Sequence, residues 1–221
     1  MNGVQYSQYR MEHDIARLLL AEKAVTLNVK EPYTYASGIR SPIYCDNRVL
    51  ISNPVARAAV LDGFVELITH HSPHYDIIAG TAIAGIPWAA WLAQQLNKPL
   101  VYVRDKKDHG KQNTIEGRLE ANSRVIVIED LISTGKSSYA AVEELRNAKT
   151  EVIACLAIFT YELQKSKSTF SDCPLFTITR FSALIEEAQA QHYITGEEAM
   201  HILAWNKSPE NWEKVIGGIG F

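Results

Sequence analysis

A four-residue apolar run that ends in two acids constrains this chain most. Val125-Ile126-Val127-Ile128 leads straight into Glu129-Asp130, and Leu131-Ile132-Ser133-Thr134-Gly135-Lys136-Ser137-Ser138 follows. An unbroken apolar run bounded by turn residues predicts a strand buried on both faces, and such strands belong to parallel sheets. The hydroxyl-and-glycine loop beyond it predicts a turn at the strand's carboxyl end. The helical spacing after the loop predicts a helix N-terminus. Open α/β sheets bind ligands at that place, and the free N–H groups of a helix start suit a phosphate. The plain alternative is a strand-to-helix connection capped by Ser133 or Thr134.

A near miss sharpens the reading. Gly135-Lys136-Ser137 has the ending of a nucleotide-binding P-loop, but the first glycine of that motif would fall at position 130. Asp130 stands there, with Glu129 before it. Two carboxylates would repel a triphosphate. They suit sugar hydroxyls or a metal, while the loop beyond them holds a phosphate. A sugar phosphate satisfies both halves.

With 221 residues, 47% of them hydrophobic, the chain can build one α/β domain with additions, or two small domains. A net charge of −3 gives no nucleic-acid footprint. No apolar run reaches transmembrane length, and Met1 to Tyr9 is polar, unlike a signal peptide. Cys45, Cys155 and Cys173 are widely spaced and form no C-x-x-C, which fits a reducing cytoplasm without structural zinc. His70, His71 and His74 cluster near Pro73; an exposed helix end, where histidine is favourable, is the simpler reading over a metal site.

The rest of the chain alternates. The spacing predicts a first amphipathic helix over 7–24, a strand over 25–29, and short extended pieces over 31–48 broken by Pro32, Gly38 and Pro42. Asn53-Pro54 is a helix start, a cap followed by proline at the first position, and the helix runs to about Thr69. Strands are predicted at 75–79, 99–103, 124–128, 152–159 and 176–179. Helices are predicted at 86–96, 134–148, 181–191 and 195–205. That rhythm predicts a mostly parallel sheet covered on both faces. Residues 104–120 read as one long polar loop carrying Arg104, Lys106, Lys107, His109 and Lys111. Long loops in compact domains are commonly functional. Here the expectation is a lid that brings cations over a polyanion and excludes water; a solvated charged loop is the alternative.

The pattern Glu129-Asp130-Leu131-Ile132-Ser133-Thr134-Gly135 resembles the phosphoribosyl-pyrophosphate signature of type I phosphoribosyltransferases. Three further stretches, in family order, narrow the likeness to the orotate branch. Tyr33 to Arg48 is similar to its base-binding segment, Gly80-Thr81-Ala82-Ile83-Ala84-Gly85-Ile86-Pro87 to its pyrophosphate loop, and Arg104 to Gly117 to its catalytic lid. The chain carries Ala36 and Ala84 where many members have lysine, the wording of a sub-branch. Lys107 is matched to the catalytic lysine, in preference to Lys106, because it directly precedes Asp108-His109-Gly110.

The resemblance implies an α/β fold of the type I phosphoribosyltransferase kind, with a mostly parallel central sheet flanked by helices and a small N-terminal hood. Residues 1–50 would form the hood, 51–180 the core with lid 104–120, and 181–221 a peripheral helical extension in which Trp205, Trp212 and Pro209 close the core or a dimer. It implies transfer from phosphoribosyl pyrophosphate to orotate, with Glu129, Asp130, Arg104, Lys107 and His109 catalytic. Phosphoribosyl pyrophosphate would be held by Glu129, Asp130, Ser133, Thr134, Gly135, Lys136, Ser137, Thr81, Ala82, Arg104, Lys107 and His109. Orotate would be held by Ser37, Tyr44, Cys45, Arg48 and Ser133, although Arg40 and Arg48 read equally as surface arginines. The implied metal is Mg2+, bound mainly through substrate oxygens with a water-mediated contact to Asp130. The implied assembly is a homodimer whose lids act across the interface, with no nucleic acid and no membrane. Transfer to another base, or a non-catalytic nucleotide-sensing regulator on the same fold, is the competing reading.

Overall fold

The computed structural model describes residues 3–35, 38–71, 74–104 and 113–212. In chain order these form α1 (Gly3–Ala21), β1 (Val25–Leu27), β2 (Tyr33–Thr34), β3 (Arg40–Ser41), β4 (Ile43–Cys45), a 3-10 turn (Asn47–Ser52) and α2 (Pro54–His71). Then follow β5 (Ile77–Thr81), α3 (Gly85–Leu96), β6 (Leu100–Val103), β7 (Ile115–Glu116), β8 (Arg124–Ile132), α4 (Lys136–Asn147) and β9 (Glu151–Thr160). The chain continues through α5 (Gln164–Thr169), β10 (Leu175–Arg180), α6 (Phe181–Ala190) and α7 (Gly196–Lys207).

The central sheet has the order β10-β9-β8-β5-β6-β7, parallel except for β7. Strand alternation divides its side chains between two cores. Ile78, Ile126, Ile128 and Leu156 pack with α1, α2, α3 and α6 on one face. Ile77, Val125, Val127 and Cys155 pack with α4 on the other. Both faces are thus covered, which is why the strands read as continuous apolar runs. Phe64 of α2 and Trp88 of α3 are fully buried. Truncating either to alanine is expected to cost about 3–5 kcal/mol.

The Asn53 side chain accepts from the Val55 and Ala56 N–H groups at 3.0 and 3.2 Å, so α2 begins where the Asn-Pro pair predicts. Other boundaries differ from the sequence reading. β8 does not stop at Ile128 but continues through both acids to Ile132, because β9 pairs with it that far, Leu131 opposite Phe159 and Ile132 opposite Thr160. The loop expected over 104–120 contains β7, which pairs antiparallel with β6. Helix α5 and the 3-10 turn are additional. In the C-terminal stretch, Trp205 and Trp212, read as closing the core or a dimer, are both buried. The Trp205 indole N–H donates to the Arg40 carbonyl at 3.0 Å, and the Trp212 N–H to the His201 carbonyl at 2.9 Å.

In the hood, β1 pairs antiparallel with β4 and β2 with β3. The Tyr35 hydroxyl donates to the Ile43 carbonyl at 2.7 Å and lies 3.1 Å from the hydroxyl of Tyr161, the residue after β9. These contacts seat the hood beside the carboxyl ends of the central strands.

Candidate active site

β5 leads to β6 on one side of itself, whereas β8 lies on its other side. The sheet therefore reverses direction between β5 and β8, and a crevice opens beyond their carboxyl ends. The Thr81 hydroxyl donates to the Ile128 carbonyl at 3.2 Å across the gap. Helix α3 starts against β8 so closely that a Cβ at Gly85 would lie 2.4 Å from Thr81 Oγ1 and 2.5 Å from the Ile128 oxygen. Only glycine fits there. The Ala82–Ile83 peptide between strand and helix is cis.

Two helices begin at this crevice, and neither start has a side-chain cap. Ala84 precedes α3 and Gly135 precedes α4, with no capping hydrogen bond from either. Their first N–H groups are left for a ligand. Gly135 has φ +79°, and a Cβ on it would meet the Phe170 ring at 2.7 Å. This conformation delays the helix to Lys136, two residues after the predicted start, and leaves Ser133 to Gly135 as the loop. Ser133 and Thr134 border a cavity of about 560 Å3 with Tyr35 and Trp205. Ser137, Thr81, Ala82, Arg104 and Glu129 line a second cavity of about 190 Å3.

The acid pair occupies the tip of β8. Glu129 is buried; its Oε1 accepts from the Asp130 N–H at 3.0 Å and its Oε2 from the Ser138 hydroxyl at 2.8 Å. Asp130 is partly exposed. Burial, and then the hydrogen bond and charge of Glu129, push its carboxyl up to about 8.

Tyr44 is exposed and Cys45 buried on β4, the alternation of a strand with one face inward. Burial pushes the Cys45 thiol up, and the Asp130 and Asp46 charges add to the effect. The neutral thiol is thereby favoured. Arg48 makes a two-point pair with Asp46 at 2.6 and 2.8 Å on the exposed side of the turn after β4. Ser37 lies outside the described residues.

Where the lid is expected to begin, the Arg104 N–H donates to the Thr114 carbonyl at 2.8 Å. The Arg104 guanidinium pairs with Glu116 at 2.7 Å. The Thr114 hydroxyl donates to Glu144 of α4 at 2.6 Å. Lys106, Lys107 and His109 lie outside the described residues. The histidines at the end of α2 include His71, stacked on Phe176 at 4.0 Å. Among the described residues no group of three or more His, Cys, Asp or Glu could hold a metal by itself.

Three contributors escaped the sequence reading: Ser138, Glu116 and Asn47. Ser138 closes the motif on the first turn of α4, and its spacing from Glu129 was a usable signal. Asn47 donates to the Asp130 carbonyl at 2.7 Å from 83 positions away, which no spacing rule finds.

Residues 57–190 match the phosphoribosyl transferase domain. The chain is also 51% identical to the orotate phosphoribosyltransferase of Coxiella burnetii, over 90% of this chain and 97% of that one. This chain belongs to the orotate phosphoribosyltransferase family. The Listeria monocytogenes member is 48% identical over 92% of this chain and 99% of its own. Among solved structures, orotate phosphoribosyltransferase from Aeropyrum pernix superposes with a TM-score of 0.71 at 26% identity, covering 82% of this chain and 99% of that one. The UMP synthase of Leishmania donovani superposes at 0.75 and 26% identity over 88% of this chain and 42% of that longer one.

Proposed function

We infer that this chain transfers the 5-phosphoribosyl group from phosphoribosyl pyrophosphate to orotate, giving orotidine 5′-phosphate and pyrophosphate for pyrimidine biosynthesis. The observation that carries the reading is the placement of Glu129 and Asp130 between two helix starts without side-chain caps. One helix start suits the leaving pyrophosphate, the other the 5′-phosphate, and the acids suit the ribose between them.

The reaction breaks the bond from the anomeric carbon to pyrophosphate and forms one to orotate nitrogen. In the transition state the ribose is electron-poor and the pyrophosphate gains charge. A catalyst gains most by stabilising both. In this reading Glu129 and Asp130 hold the ribose hydroxyls and favour the cationic sugar. Ser133, Thr134, Gly135, Lys136 and Ser137 cradle the 5′-phosphate, while Thr81 and Ala82 approach the pyrophosphate. Arg104 exchanges Glu116 for pyrophosphate, with Lys107 and His109 closing from the lid. Tyr44, Cys45, Arg48, Ser37 and Ser133 surround orotate.

The residues present fit Mg2+, a hard ion that takes one or two carboxylates and completes its shell with substrate phosphate oxygens and water. Asp130, partly exposed beside the crevice, is the carboxylate to hold it, directly or through water. When bound, the ion supplies charge neutralisation for the departing pyrophosphate. The same reading makes the enzyme a homodimer whose lids close over the partner's site. It also places the enzyme in the cytoplasm, which suits three unpaired cysteines. No helix among the described residues is long and apolar enough to cross a membrane.

The test is the loss of orotate absorbance on mixing protein, magnesium and phosphoribosyl pyrophosphate, with Glu129→Ala/Asp130→Ala as control. Magnesium-dependent loss abolished in the double variant is expected. No loss with the intact protein, despite binding of the sugar pyrophosphate, points to another base or a regulator.

A further inference from the structure

Asn47 is fully buried, and its amide bridges two parts of the site. Nδ2 donates to the Asp130 backbone carbonyl at 2.7 Å, while Oδ1 accepts from Cys45 Sγ at 3.5 Å. Sheet geometry explains the need. The Arg124 carbonyl accepts from the Asp76 N–H and the Ile128 carbonyl from Thr81, so both point to the β5 flank of β8. Backbone groups alternate flanks along a strand, so those of Asp130 point the same way. Pairing with β5 has ended by then, at Gly80 opposite Ile128. The Asp130 N–H goes to Glu129 Oε1 and its carbonyl to Asn47. Two side chains replace the missing strand, and one of them comes from the hood.

We propose that Asn47 is a positioning residue that keeps the base-binding hairpin in register with the ribose-binding acid. The proposal rests on the function inferred above. Asn47 opens the 3-10 turn directly after β4, two residues beyond Cys45. Its bond to the Asp130 carbonyl fixes the peptide plane after Asp130 and with it the stand of the carboxyl group. Its bond from Cys45 ties the same point to the strand that carries Tyr44. A misplacement of about 1 Å between reacting groups can cost on the order of 100-fold in rate. An amide is required, because the carbonyl needs a donor and the thiol an acceptor.

The experiment compares Asn47→Ala and the isosteric Asn47→Asp with the intact full-length enzyme at one pH, measuring kcat, both KM values and melting temperature. Asn47→Ala is expected to lower kcat about 10–100-fold. It should also raise KM for orotate and leave KM for phosphoribosyl pyrophosphate within about threefold. Asn47→Asp keeps the shape of the side chain and loses the amide donor. Its kcat and orotate KM are expected to change in the same direction as those of Asn47→Ala. A residue that merely packs lowers the melting temperature and leaves this split between kcat and the two KM values unchanged. Should Asn47→Ala fail to fold, Asn47→Asp decides. Intact kcat and orotate KM in a folded variant overturn the proposal alone. An intact enzyme that leaves orotate untouched overturns the functional reading and the proposal with it.

Discussion

Among single residues, Asp130 carries the sharpest conflict between stability and chemistry. Its carboxyl is pushed from 3.8 to about 8 by burial and by Glu129. Between those values the folded chain binds more protons than the unfolded chain. The associated stability is complete below the lower value and is lost as pH rises through the upper one. Asp130→Asn removes the titrating group. The variant is expected to melt above wild type at pH 8, by roughly 1–3 kcal/mol, or about 2–4 °C per kcal/mol for this chain length. The gap closes near pH 4, and activity is lost throughout. A variant that melts below wild type at pH 8 contradicts this account. The acids themselves were legible in sequence, because two carboxylates at the end of a buried strand have few other uses. Their holders were legible only in part. Ser138 sits nine residues on, within one motif, whereas Asn47 acts from another part of the chain. Lys107→Ala belongs to the same scale: as a cation for the departing pyrophosphate, it should lower kcat about 10²–10³-fold and change KM much less. Steady-state kinetics check it, and an unchanged kcat overturns it.

Among elements, the decisive relation is that of α3 to β8. Gly85 permits the contact, since any Cβ there would collide with Thr81 and the Ile128 carbonyl. Gly85→Ala is expected to cost about 1–3 kcal/mol by overpacking. Displacing the α3 N-terminus should also raise KM for phosphoribosyl pyrophosphate about tenfold. Thermal melting and substrate titration check the two effects separately; a stable variant with unchanged KM contradicts the close-approach argument. Sequence periodicity located α2, α3, α6, β5 and β9 because each has an apolar pattern long enough to read. It misplaced the end of β8, since acids and hydroxyls read as loop residues. Pairing with β9 decided otherwise. β7 is two residues long and exists through its bonds to β6. No local pattern announces so short a strand.

For the whole molecule, the proposed lid exchange between subunits makes a quantitative prediction. Lys107→Ala removes a lid cation, and Glu129→Ala/Asp130→Ala removes an acid pair. If lids act across a dimer, each mixed dimer contains one site with both parts intact. Co-refolding equal amounts should restore roughly a quarter of wild-type activity by random pairing of a two-fold assembly. A lid that serves its own subunit restores nothing. Residues 105–112, within the lid expected over 104–120, lie outside the described residues. The hood was legible only through family likeness, because its strands are two or three residues long.

Trp205 turns hood attachment into an optical signal. Its indole N–H is bonded to Arg40 of the hood, and its ring meets Tyr35, Tyr161 and Phe181. Lifting the hood exposes that ring to water and shifts its fluorescence to longer wavelength. With the chain's other three tryptophans replaced by phenylalanine, emission from this single indole would report whether the hood lifts during turnover, with no dye attached.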